Sequence, residues 1–326
     1  MPLFANWVCH RAIFIKSSRL RKWHKSVAER SRSEPALRPL DSARGPLRSG
    51  TVHFMKSLHI RNQLHHHDHD FIDAIIPLFH WIERYFKYEA HGLDRIPAGK
   101  KCVVVMNHGI IPFHGFLLTK KLIELRGIYP RGLGAGFLFS IPGLREFFLK
   151  GGVVNANEYN ARQLLKENNC LMLAPGGIYE GLVAHPGMKR IPWERRKGFV
   201  ELAIETNTPI IPSFCGGIND VYFNSKFLLK WRIKILETTR FSLPLFCGIG
   251  LLPLPAKLIH NVGEPIPITK KNGEKPQAQV KRIHAQVIQA MHQLAEKQAL
   301  LREPTWLDHL RDRVNEKLSV FGMLDE

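Results

Sequence analysis

Two short stretches of this chain carry residue types that could move a proton or hold an anion. The first is Met106-Asn107-His108-Gly109-Ile110-Ile111-Pro112-Phe113-His114-Gly115, directly after the apolar run Cys102–Met106. A histidine where a strand runs out into a turn shaped by Gly and Pro is placed to act as a base. Its unperturbed pKa of about 6.5 lets it take a proton at neutral pH. A loop histidine bonded to backbone would look the same, so position alone leaves both readings open. The second stretch is Ala174-Pro175-Gly176-Gly177-Ile178-Tyr179-Glu180-Gly181. Its glycines allow a backbone turn to approach a ligand and present N–H groups. Glu180, within one turn, could bind a hydroxyl or a cation; taken alone, PGG is merely a turn signal. A basic run follows: Lys189, Arg190, Arg195, Arg196 and Lys197, before or opening a helix with Phe199, Leu202 and Ala203. Positive charge at a helix N-terminus is repelled by the helix dipole, by roughly a few tenths of a kcal/mol per residue. Such a cluster reads either as an anion site or as a solvated surface.

The elements around these stretches alternate. Cys102–Met106, Val153–Val154, Cys170–Ala174 and Pro209–Phe214 are short apolar runs bounded by turns. Between them, 116–126, 158–168 and 195–205 have helical patterns, and a further strand is expected around 256–262. Val280, Ile283, Val287, Met291 and Leu294 form one stripe of a helix over 277–301. Apolar strands separated by helices predict an α/β fold, a mainly parallel sheet with helices on both faces. In such a fold, sites form at the carboxyl ends of strands.

Composition narrows the function classes. The 326 residues are 44% apolar and 23% charged, which excludes a wholly disordered chain. Cys9, Cys102, Cys170, Cys215 and Cys247 are scattered without a CxxC pair, arguing against a disulfide framework and a zinc site. Lys and Arg total 47 against 28 acids, a formal charge of +19, which favours a polyanionic partner. No nucleic-acid motif accompanies the basic segments, so we expect an anionic membrane or a phosphorylated substrate rather than DNA or RNA.

The longest charge-free apolar run, 241–256, is broken by Pro244, Pro253 and Pro255 and is too short to span a bilayer. Two stretches suit the headgroup layer instead. One is an amphipathic helix within 61–88 with Phe71, Ile75, Leu78, Phe79, Ile82, Tyr85 and Phe86 on its stripe, kinked at Pro77. The other is 226–236, where Phe227 and Trp231 mix with four basic residues. Core packing is the plainer reading of both. Residues 1–60 hold eleven basic and three acidic residues in the first fifty, and are expected to be a disordered arm. A transit peptide, or a true start at Met55, would explain the same composition. The HHHDHD run at 65–70 reads as a solvated linker more readily than as a metal site. Residues 89–301 would form the main domain, and 302–326 a C-terminal tail.

In order, the chain carries Asn107-His108-Gly109, Ile141-Pro142-Gly143-Leu144, the APGGxxE stretch ending at Glu180, Arg196-Lys197-Gly198-Phe199, the IIPSF strand and Val262-Gly263-Glu264-Pro265-Ile266. This set resembles the glycerolipid acyltransferase superfamily, the PlsC-like group, and within it the diacylglycerol-acyltransferase-like and phytyl-ester-synthase-like branch. The likeness covers about residues 89 to 295. It implies transfer of a fatty acyl group from acyl-CoA, or from an acyl-carrier protein, to the hydroxyl of a mono- or diacylglycerol or a lysophospholipid, with no metal or organic cofactor. It also implies His108 as general base, and Asn107, Gly176, Gly177 and Glu180 around the polar head of the acceptor. Arg196 and Lys197 would meet a phosphate. A peripheral position on the cytoplasmic face of a membrane follows from amphiphilic substrates.

One departure stands out. The superfamily's carboxylate falls in the segment matching Phe113 and His114, and neither is acidic. A carboxylate fixes the histidine tautomer and stabilises the imidazolium, and losing it costs orders of magnitude in comparable sites. Three outcomes follow: His114 orients His108 instead, a carboxylate such as Glu180 approaches, or the chain is a non-catalytic lipid- or membrane-binding scaffold. Some members of the branch use a His-Pro-His-Gly signature without an aspartate.

Overall fold

The structure is a computed structural model that describes residues 64, 68–185, 188, 190–224, 228–239, 246–249, 252–300, 309 and 313. All of these fall in one compact unit, His53–Glu326. The arm over 1–60, His65–His67 of the histidine run, and the tail apart from His309 and Arg313 lie outside the described residues.

In chain order the elements are α1 (His69–Tyr85), β1 (Glu89–His91), β2 (Cys102–Met106), α2 (Phe113–Arg126), β3 (Arg131–Gly134), α3 (Leu144–Lys150), β4 (Val153–Asn155), α4 (Glu158–Lys166) and β5 (Cys170–Leu173). They continue with α5 (Gly177–Val183), α6 (Gly198–Glu205), β6 (Ile210–Gly216), β7 (Phe223–Asn224), α7 (Leu229–Thr239), β8 (Phe246–Cys247), β9 (Ile259–Val262) and α8 (Pro276–Leu300). One seven-stranded sheet has the order β1-β9-β6-β2-β5-β3-β4. From β6 to β4 every pairing is parallel; β9 pairs antiparallel with β6 and parallel with β1. The α/β class and the mainly parallel sheet are therefore as expected.

Alternation along β2 divides the core. Val103 and Val105 pack with Leu164 and Leu165 of α4, Val200 of α6, and Ile283 and Val287 of α8. Cys102, Val104 and Met106 point the other way, onto Leu118 and Leu122 of α2. Helices thus cover both faces, as the period of two in a strand requires. Side-chain caps set two helix starts: Asp68 Oδ1 accepts from Phe71 N at 2.9 Å, and Asn157 Oδ1 accepts from Asn160 N at 2.8 Å. Gly127, at φ 62°, ends α2 in the left-handed conformation that glycine adopts without a Cβ clash.

Three details differ from the sequence reading. β3 was not expected: its Gly132 and Gly134 interrupt any apolar run, and its Arg131 is buried, donating to Gly152 O at 3.0 Å and Leu64 O at 2.7 Å. β1, three residues long, was also missed, too short to show a period. α2 begins at Phe113 rather than 116, which puts His114 in its first turn. α1 packs on α2: Ile72 is buried, Phe79 stacks on Phe116, and Glu83 pairs with Lys120 at 2.6 Å. Leu78 and Trp81 stay outside.

Candidate active site

The parallel strands deliver their carboxyl ends to one edge of the sheet, and the two chemical stretches meet there. β2 runs directly into Asn107 and His108. Asn107 is buried, and its amide completes the ladder where β2 has ended: Nδ2 donates to Cys215 O at 3.1 Å, and Oδ1 accepts from Cys215 N at 2.8 Å. Both polar atoms of the side chain are committed to β6. Asn107 therefore holds the turn.

His108 follows, half-buried. Its Nδ1 meets Gly109 O. A carbonyl can only accept, so Nδ1 carries the proton and Nε2 keeps its lone pair. Desolvation holds the ring below its ordinary pKa, against the opposing effect of the Gly109 carbonyl. At neutral pH the imidazole is uncharged, the state a general base needs.

The helix that follows the glycine turn, α5, lies against this histidine. A Cβ at Gly181, in α5, would sit 2.8 Å from Gly109 O and 3.2 Å from His108 Nδ1. Glu180 is buried, with its Oε2 accepting from Trp193 Nε1 at 2.7 Å. Burial raises its carboxyl to about 7, opposed by the Trp193 bond and by the backbone N–H of His108. Gly176 is required for this packing: a Cβ there would fall 2.2 Å from Glu180 Oε2 and 2.9 Å from Trp193 Nε1. Gly177, at φ 50°, has nothing within 4 Å of where its Cβ would be, so its backbone borders open space. Gly176 and Glu180 thus pack against Trp193, and Gly177 faces open space beside them.

His114 takes neither role expected of an orienting group. It is fully buried, and its Nε2–H donates to Asn107 O at 2.8 Å. Among the described residues its Nδ1 has no hydrogen-bond partner. Burial lowers its pKa to about 3, with the nearby His108 adding to the effect. It positions the residue before His108. Three groups absent from the sequence reading complete this layer. The His260 ring lies 5.4 Å from that of His114, its Nε2 pairs with Ser213 Oγ, and its Nδ1 pairs with Tyr88 Oη at 3.0 Å. A histidine inside a short strand, Ile259-His260-Asn261-Val262, offered no local signal of this role.

Arg195, Arg196 and Lys197 are exposed at the start of α6. Arg196 N donates to Trp193 O at 2.8 Å, so the basic turn is tied to Glu180 through Trp193. Trp193 stood in the motif, yet its reach to Glu180 was invisible there. Arg190 instead pairs with Glu194 at 2.7 Å, and Lys189 lies outside the described residues. Among the described residues no group of three or more His, Cys, Asp or Glu side chains could hold a metal ion, and no helix is long and apolar enough to cross a membrane.

An α/β sheet with a neutral histidine at its carboxyl edge, against the helix that follows a glycine turn, is the class of protein defined so far. The profile of the diacylglycerol acyltransferase family matches residues 67–302, and the chain belongs to that family. It is 28% identical over 187 residues to the bovine (Bos taurus) DGAT1/2-independent enzyme synthesizing storage lipids, covering 56% of this chain and 53% of that one. It is 31% identical over 211 residues to diacylglycerol O-acyltransferase 2 of Dictyostelium discoideum, covering 58% and 63%. The chain thus spans about half to two thirds of the length of these curated relatives. Among solved structures, the 1-acyl-sn-glycerophosphate acyltransferase PlsC of Thermotoga maritima aligns with a TM-score of 0.42 at 15% identity, over 78% of this chain and 93% of that one.

Proposed function

We propose that the chain is an O-acyltransferase that moves a fatty acyl group from acyl-CoA to the hydroxyl of a glycerolipid. The observation that carries this reading is His108, uncharged and half-buried at the end of β2 against α5, in a chain whose family profile runs through the whole domain. Nε2 of His108 takes the proton of the acceptor hydroxyl. The oxygen then attacks the thioester carbonyl, the C–S bond breaks, and the imidazolium returns its proton to the departing thiolate. The Gly109 carbonyl, in place of the missing carboxylate, fixes the tautomer. A neutral carbonyl stabilises the transient imidazolium less than a carboxylate would.

Gly177 borders the space for the acceptor's polar head, and Arg196 and Lys197 meet a phosphate of CoA or of the lipid. An acyl-carrier protein would use the same basic turn. The reading includes a peripheral position on an anionic membrane and needs no metal or organic cofactor. A non-catalytic lipid-binding scaffold remains the second reading, and the family relationship weighs against it. The test is product analysis by mass spectrometry with acyl-CoA and a panel of glycerolipids. His108→Ala is expected to lower the rate by about 10²- to 10⁴-fold. Equal inactivity of wild type and variant would refute the enzymatic reading.

A further inference from the structure

Cys102, Cys170 and Cys215 are buried, free thiols. The sequence scatters them, but the fold brings two of them together. Cys102 opens β2 and Cys170 opens β5, and the parallel register of these neighbouring strands sets the two residues directly opposite each other. Both side chains leave the sheet on the face covered by α2, where they join one cluster with Leu118, Leu122 and Ile128. Cys215, on β6, has His260 of β9 opposite it and packs in a different cluster.

Neighbouring strands lie about 4.8 Å apart, which is inside the range of about 4.4–6.8 Å between the α-carbons of a disulfide. Side chains of a parallel pair stand side by side, so their β-carbons keep about the strand spacing. A disulfide draws β-carbons to about 3.8 Å. The strands must therefore close by about 1 Å, and a bond made under that tension is easily reduced. The turns before both strands are exposed at Gly99, Lys100 and Asn168. They are stitched together: Lys101 N donates to Asn168 Oδ1 at 3.2 Å, and Asn168 Nδ2 donates to Gly99 O at 2.7 Å. The stitch holds the register, and the thiols lie just inside it, with Cys102 0% and Cys170 6% exposed. A small oxidant reaches them when the strand ends fray. The neighbouring Cys102 thiol, together with burial, pushes the Cys170 thiol well up, so the resting pair is protonated and reacts slowly.

We propose that Cys102 and Cys170 form a reversible thiol–disulfide pair at the amino edge of the sheet, oxidised by hydrogen peroxide. One sulfur attacks the O–O bond and becomes a sulfenic acid as water leaves. The other thiol attacks that sulfur, the S–S bond forms, and the S–O bond breaks to release a second water. The two thiols give up two electrons and two protons, and the peroxide takes them up. β2 and β5 carry the histidine turn and the glycine turn at their other ends, so the crosslink joins the two strands beneath the candidate active site. The proposal goes beyond the acyltransferase reading and does not depend on it.

The test is peptide mapping by mass spectrometry on the full wild-type chain. The chain is treated with hydrogen peroxide in native buffer, then its remaining thiols are alkylated in denaturant. The expected result is a joined peptide containing Cys102 and Cys170, lighter by two hydrogens than its two reduced parts. Two alkylatable thiols should be lost with it, while Cys215, equally buried but opposite a histidine, is still alkylated. Glutathione added in native buffer should then return both thiols. Absence of the joined peptide, or its appearance only in urea, overturns the proposal. So does crosslinking of Cys215 in equal yield, which would show that proximity in the sheet does not select the pair. A Cys102–Cys170 bond that glutathione leaves intact overturns it as well, because the strand spacing requires a bond that reduces readily.

Discussion

Glu180→Gln isolates the buried carboxyl behind the histidine turn. In the folded chain burial raises Glu180 from its ordinary 4.5 to about 7. The folded state therefore holds this proton more tightly than the unfolded chain does. Its contribution to stability is full below the unfolded value and is lost as pH rises through about 7. A displacement of about 2.5 pH units at 1.36 kcal/mol per unit amounts to about 3 kcal/mol. Glutamine has the same shape and does not titrate. Urea unfolding of wild type and Glu180→Gln across pH yields the difference in unfolding free energy, in which all other titrations cancel. That difference should fall by about 3 kcal/mol between about pH 4.5 and pH 8, at wild type's expense. A difference that stays level would mean that the carboxyl is well solvated, and its burial against Trp193 would have to be abandoned. The same ionisation should mark the rate. An ionised Glu180 is the stronger acceptor for the Trp193 donor behind the histidine turn. Wild-type activity should therefore rise through about pH 7, and the Gln variant should lack that limb.

Asn107→Ala leaves the N–H and C=O of Cys215 unpaired in the core, at about 1–3 kcal/mol for each group. Denaturant titration should show a loss of about 2–5 kcal/mol, and a change under 1 kcal/mol would contradict the ladder-closing role. His114 titrates in the opposite sense to Glu180. With its pKa lowered from 6.5 to about 3, its contribution is present above 6.5 and is lost as pH falls toward 3. Between about pH 6.5 and pH 5 wild type should lose about 2 kcal/mol that His114→Phe does not lose, and identical slopes in unfolding experiments would show that the ring is not desolvated.

Much of the architecture was legible along the chain. The strands at 102–106, 170–173 and 210–216, and the helices between them, follow from local apolar period and turn residues, which depend only on near neighbours. The histidine turn and the glycine turn were legible for the same reason: each is one contiguous stretch after a strand. What those residues do was set elsewhere. Asn107 closes a ladder with a residue 108 positions away. Trp193 reaches back to Glu180, and His260 arrives from the last strand to lie beside His114. Such partners depend on strand order and register, and the hydrophobic pattern of one segment carries no information about which distant segment will lie beside it. Amphipathic stripes show the same division. The period in α1 announced a helix with an apolar face, but only packing against α2 and α3 determined which apolar side chains went inward and that Leu78 and Trp81 remained in solvent. Sequence thus determined the elements and the chemical types at their ends, because both are local. Tertiary structure assigned their roles, because burial and hydrogen bonding belong to pairs of segments and not to either one.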